Sequence, residues 1–165
     1  MNWGRLMAGL GERYEIESAY FKPYPCCRHY HAVIDGILAL RGEHRIESAD
    51  VKHMHLGIYA VGVNGYDHKH ADNLPDAQMS APVAAALAVV DGGIAAHRFL
   101  PESLARAEVR RLVDAADTHV DHECERIYPG RRSGAVRIEL SGGRSMESRV
   151  LDPNGISTAC RTRAS

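Results

Sequence analysis

KPYPCCRHYHAVIDGILALR, residues 22–41, decides how the chain is read, because the spacing of its apolar residues changes period inside it. Pro23 and Pro25 stop any extended segment before them, and Pro25 suits the first turn of a helix, where a missing N–H costs nothing. From position 26 to 40 the apolar residues recur at helical spacing, with Gly42 as the stop. A helix is therefore expected there, with Tyr30, Val33, Ile34, Ile37 and Arg41 on its core-facing stripe. The preceding RYEIESAYFK, residues 13–22, alternates loosely and is rich in aromatic and β-branched residues, which predicts a strand ending near Lys22.

Downstream, ADVKHMHLGIYAVGV (49–63) reads as a second strand, with Met54, Leu56, Ile58 and Ala60 on one face and His53, His55 and Tyr59 on the other. A polar loop over 64–76 leads to DAQMSAPVAAALAVVDGG (76–93), where Ser80 suits an N-cap, Pro82 the first turn, and Asp91-Gly92-Gly93 a stop. That helix is apolar nearly all round and should be buried. PESLARAEVRRLVDAAD (101–117) reads as an amphipathic surface helix, with Ala105, Val109, Leu112 and Ala116 opposite Arg106, Arg110 and Asp114. HVDHECERIY (119–128) reads as a strand, and AVRIEL-SGGR-SMESRVL (135–151) as a hairpin with Val136, Ile138 and Leu140 on one face. Strands and helices do not alternate regularly. The expected fold is α+β, a mainly antiparallel sheet covered by helices with a C-terminal β-hairpin.

The 165 residues fit one domain with a substantial core. A net charge of −1 at 25% charged residues gives no basic footprint for nucleic acid. No apolar run approaches the roughly 20 residues that cross a bilayer, and the start MNWGRLMAGLGERYE lacks the apolar core of a signal peptide. A cytoplasmic protein without nucleic-acid or membrane partners is expected. Four cysteines in such a chain (Cys26, Cys27, Cys124, Cys160) do not make a disulfide framework and should be free thiols.

Three chemistries compete for KPYPCCRHYH. Ten histidines include the pairs His29/His31, His53/His55 and His68/His70. Residues two apart on a helix point about 200° apart, so His29 and His31 cannot share one metal there; His53 and His55 share a strand face but lack an evident third ligand. Zinc-type Cys/His spacing is absent, and no metal is expected. Adjacent Cys26 and Cys27 are not the C-x-x-C arrangement that tunes thiol chemistry. The third reading is a pocket wall. Cys27, His31 and Asp35 fall in one i, i+4, i+8 row, and Lys22 and Arg28 add positive charge at a helix N-terminus, which favours an anion such as a carboxylate. Solvated charges, with His31 capping the edge of the core, fit the same residues equally well.

KPYPCCRHYHAVIDGILALR, DAQMSAPVAAALAVVDGG and VDHECERIYPGRRSGAVRIELSGGRS together resemble successive signatures of the C-terminal domain of the MmgE/PrpD family, in order from about Glu12 to Asp152. That family includes 2-methylcitrate dehydratase, cis-aconitate decarboxylase and iminodisuccinate epimerase. The resemblance implies a domain over 13–152, preceded by an inter-domain remnant (1–12, whose RLMAGLGE looks like the end of a helix) and followed by a polar tail (153–165). It implies cofactor-free lyase or isomerase chemistry on small di- or tricarboxylates, a helical N-terminal domain that completes the active site in cis or in trans, and a homodimer. An excised piece, a split subunit and a truncated product all fit a chain without that helical domain, as does a stand-alone domain that serves association or small-anion binding. By position, Lys22 matches the family's lysine, Cys27 a site where some relatives place an active-site histidine, and His31 the histidine that closes the block. These three are the expected catalytic residues, with Arg28, Gln78 and Ser80 as substrate-binding candidates. Relatives commonly carry a tyrosine after the proline of the buried helix. Here the position is Val83, which puts a reaction dependent on that hydroxyl in doubt.

Overall fold

The computed structural model describes residues 2–12, 14, 16 and 19–155. Two compact units are distinguished, one over 1–21 and 155–165 and the other over 22–154. In the first, the short helix α1 (Trp3–Met7) takes in only the first three residues of the RLMAGLGE stretch (5–12) expected to end a helix, and residues 8–12 form turns. The strand expected over 13–22 falls partly outside the described residues, and its described positions carry no strand.

The second unit is built on a four-stranded sheet, in spatial order β2 (Ala116–Val120), β1 (Val51–Ile58), β3 (Gly134–Leu140) and β4 (Ser145–Val150). Its helical layer begins with a 3-10 turn at Arg28–Tyr30 that runs into α2 (His31–His44). The helix thus starts later than the sequence suggests and passes through Gly42. It ends at Arg45, a left-handed residue with φ 51°. Gly36 is where α2 meets the sheet: a Cβ there would come within 2.9 Å of Val136 Cγ1.

Strand β1 (Val51–Ile58) has Met54, Leu56 and Ile58 buried as expected. It ends five residues short of the expected position 63, because Ala60 opens the one-turn helix α3 (Ala60–Val63), and Tyr59 is fully buried instead of lying with His53 and His55. The polar loop holds α4 (Leu74–Gln78), capped by the Asn73 side chain, which accepts from Asp76 N. Helix α5 (Ala81–Asp91) follows as expected. The Ser80 side chain accepts from Val83 N, and Gly92 ends the helix at φ 67° with the Arg41 guanidinium packed where a Cβ would sit. Every residue from Ala81 to Val89 is buried.

The amphipathic stretch is broken at residues 105 and 106 into α6 (Pro101–Leu104) and α7 (Ala107–Asp114), with Val109, Leu112 and Val113 turned inward. Its last residues leave the helix: Ala116 begins β2 (Ala116–Val120), which pairs parallel to β1. HVDHECERIY is accordingly not a strand. After two strand residues it becomes α8 (His122–Ile127), because Asp121 caps it by accepting from Cys124 N, and Glu123 and Glu125 complement the first turn. The hairpin of β3 (Gly134–Leu140) and β4 (Ser145–Val150) is antiparallel, and β3 also pairs antiparallel with β1.

The sheet is therefore mixed but mostly antiparallel, in an α+β fold. One face packs under α2 and α5, around a core that includes Ile34, Ile37, Met54, Leu56, Leu87 and Ile138. The other face carries the pairs His53–Asp117, His55–Glu139 and Arg137–Glu139 and is mainly solvated. No helix among the described residues is long and apolar enough to cross a membrane.

Candidate functional site

The two prolines carry the chain from Lys22 to the 3-10 turn without regular structure, and α4 pins that segment. The Gln78 carbonyl accepts from Cys27 N at 2.9 Å and from the Tyr30 hydroxyl, while Gln78 Nε2 donates to Pro25 O at 2.6 Å. Lys22 Nζ turns back to donate to Cys26 O at 3.2 Å. His31 Nε2 lies 3.4 Å from the same carbonyl and, since a carbonyl only accepts, is the donor. Lys22 and His31 thus converge on one backbone oxygen.

Beside this junction lies an open hollow of about 580 Å³, lined by Lys22, Tyr24, Cys26, Cys27, Gln78 and neighbours including Ile94. Of the sequence candidates, Lys22, Cys27 and Gln78 share it. His31, fully buried, stands behind the wall, with the Tyr24 ring edge-on to it at 5.2 Å between centroids. Arg28 is half-buried in the 3-10 turn and does not line the hollow. Ser80 is buried and used by the fold: its hydroxyl donates to His68 O at 2.6 Å and accepts from Val83 N at 3.2 Å. Val83 faces a different hollow, of about 490 Å³, with Phe99, Val109 and Arg110. The expected row of Cys27, His31 and Asp35 along one helix does not form, since Cys27 precedes the 3-10 turn; Tyr24 links His31 to Asp35 instead, donating to the Asp35 carboxylate.

Burial pulls the His31 imidazole down to about 4, with Lys22 and Arg28 acting in the same direction against the Cys26 carbonyl and Asp35. His31 is neutral at neutral pH. Burial also pushes the Cys26 thiol up, reinforced by Cys27 and opposed by Lys22, so that sulfur stays protonated and is a poor nucleophile. Cys26, Cys27 and Cys124 are free. Among the described residues no three His, Cys, Asp or Glu side chains are grouped to hold a metal ion. The hollow therefore offers one exposed ammonium, two thiols and an amide on a wall stiffened by tyrosines, a surface suited to holding a small anion.

Sequence reasoning missed Tyr24 and Tyr30 here, and a further group around His29 made of Tyr59, Tyr66, Tyr128 and Arg132. Their only signal was tyrosine content, since the contacts join segments far apart in the chain.

Residues 24–162 match the MmgE/PrpD C-terminal domain, and the chain belongs to that family. It is also similar to cis-aconitate decarboxylase of Aspergillus terreus, 25% identical over 166 residues that take in 92% of this chain and 33% of that protein. The chain thus spans a third of the length of that relative.

Proposed function

We propose that this chain supplies one wall of the active site of a cofactor-independent lyase or isomerase of small polycarboxylates, completed by a helical N-terminal domain. What carries the reading is the exposed Lys22 ammonium, held at the mouth of the hollow by the carbonyl that His31 also binds. Chemistry at a carbon next to a carboxylate needs a cation on the carboxylate and a group that moves a proton. Lys22 is assigned the first role, and Cys27 and Gln78 the contacts beside it. His31, kept neutral, sets the Cys26 carbonyl that orients Lys22; Arg28 adds positive field from the turn; and Ser80 fixes the helix behind the wall. The expected boundaries, with 13–152 as the domain between a 1–12 linker and a 153–165 tail, belong to the same reading, as do a homodimer and a cytoplasmic location.

The test is to combine the chain with a helical MmgE/PrpD N-terminal domain, fused or in trans, and assay 2-methylcitrate, cis-aconitate and iminodisuccinate. Turnover of one of them is expected, falling about a hundredfold or more in Lys22→Ala with unchanged circular dichroism. Val83 and Cys27, in place of a tyrosine and a histidine, favour one other reading, a non-catalytic domain for association or small-anion binding. No turnover of any of the three acids, with or without the partner domain, would decide for it.

A further inference from the structure

Strand β4 is one of the two edges of the sheet, and it lacks the devices that keep such edges from pairing. Among the described residues no strand lies along its outer side, and SMESRV (145–150) holds neither proline nor lysine. Its register with β3 runs unbroken from Ser145 to Val150, whereas the β1–β3 ladder shifts between Val51 and His53.

Hydrogen-bond parity across the sheet determines which backbone groups of β4 are free. Met54 N donates to Ala115 O on the β2 side at 2.8 Å, so the backbone groups of His55 turn to Arg137 in β3, and those of Ile138 turn to Met146 in β4. The bond from Leu140 N to Arg144 O, also 2.8 Å, gives the same parity from the turn end. Met146, Ser148 and Val150 therefore direct their N–H and C=O groups to β3, and those of Ser145, Glu147 and Arg149 face outward. The side chains of Met146, Ser148 and Val150 are half-buried on the α2 side, where Ser148 Cβ lies 3.4 Å from the place of a Cβ on Gly36. Those of Glu147 and Arg149 are exposed on the solvated face.

We infer that β4 pairs antiparallel with β4 of a second copy of this chain, about a two-fold axis at Ser148, so that the two sheets become one. Parity requires the axis to pass through a residue that faces itself, and the sequence of β4 selects which one. With the axis at Ser148, Glu147 meets Arg149 of the second copy, twice by symmetry, on the solvated face. On the α2 face Met146 meets Val150 of the second copy, again twice. An axis at Glu147 or Arg149 would set like charges against each other, and one at Met146 would leave both residues without an opposite charge. Asp121 holds Arg149 in place, its carboxylate accepting from both terminal nitrogens at 2.8 Å. Glu147 has no hydrogen bond or ion pair of its own among the described residues. This surface serves the homodimer of the proposed function, but it rests on β4 alone and not on the chemistry at Lys22.

The test is sedimentation equilibrium of the full chain from about 1 to 500 µM, with amide hydrogen exchange at both ends of that range. A monomer–dimer equilibrium is expected. The amides of Glu147 and Arg149 should slow at least about tenfold as the dimer forms, while that of Ser148, bonded to β3 within the chain, stays slow throughout. Glu147→Arg sets like charges together twice and should weaken the dimer at least about fivefold. Glu147→Pro should weaken it further, since it removes an outward N–H and leaves the β3 ladder intact. In a Cys160→Ser background, Ser148→Cys should form a cross-linked dimer with dissolved oxygen as oxidant, because a residue facing itself in a non-hydrogen-bonded pair has its Cα atoms about 4.5 Å apart. Glu147→Cys should not cross-link. Circular dichroism matching that of the parent chain shows that each variant folds; if either Glu147→Arg or Glu147→Pro fails that check, the two cysteine variants decide. A chain that stays monomeric at every concentration overturns the pairing, as does a dimer whose Glu147 and Arg149 amides stay fast, and both results leave turnover at the Lys22 hollow untouched. Cross-linking by Glu147→Cys in place of Ser148→Cys overturns the register.

Discussion

A neutral, buried imidazole ties His31 to pH through the fold. In the unfolded chain His31 titrates near its ordinary 6.5, whereas in the fold burial holds it at about 4. Between these values the unfolded state binds more protons, so stability is full above about 6.5 and falls as pH drops towards 4. From pH 7 to pH 5 the loss assigned to this residue is roughly 2 kcal/mol. Urea denaturation at the two pH values checks it: His31→Gln, which keeps a donor for the Cys26 carbonyl, should show a shallower dependence by about that amount, and equal slopes would sink the assignment. At this scale the sequence discloses what is local. Lys22, Cys27 and His31 sit within one short segment, and the family resemblance adds Gln78. The tyrosines that stiffen the wall are not legible, since Tyr24 reaches Asp35, Tyr30 reaches Gln78, and Tyr59 meets His29 and Tyr128 only after the chain has folded.

Elements were legible where a cap and a periodic pattern agree. Helix α5 has both, with Ser80 at one end and Gly92 at the other, and the hairpin has a clear alternation across its Gly-Gly turn. The segment from 114 to 127 misled because its local signals conflict. AAD continues the helical composition of α7, yet Ala116 finds a place beside Met54 in the sheet, and the cap at Asp121 outweighs the β-like look of HVDHECERIY. Caps of this kind are separable energetically. Ser80 is both the N-cap of α5 and the donor to the His68 carbonyl, so Ser80→Ala removes one acceptor for Val83 N and one donor from a buried position. A loss of about 1–2 kcal/mol is expected, read as a lower urea midpoint at unchanged slope. A change below about 0.5 kcal/mol would mean that water replaces both bonds.

For the whole molecule, the fold class follows from composition and the irregular order of elements, but the β1–β2 pairing does not. That pair is parallel, and the chain between its strands runs through α5 and α7, so no turn signal announces it. The result is a sheet with unequal surroundings. β1 and β3 are each bonded on both sides, whereas β2 and β4 are edges, and β4 alternates between exposed and half-buried residues. Helices α2 and α5 cover one face, leaving the histidine, acid and arginine pairs of the other in water, where such pairs contribute little each. Cooperative protection should therefore concentrate in β1, β3 and the buried helix α5. Native-state hydrogen exchange of the chain, diluted until it is monomeric, is expected to show the amides of Met54, Leu56, Val136, Ile138 and the interior of α5 opening only with global unfolding, while the outward amides of β4 exchange at least about tenfold faster. If β4 of the monomer were as protected as β1, its open edge would have to be covered from within the chain. That result would revise the sheet described above and close the edge to a second copy.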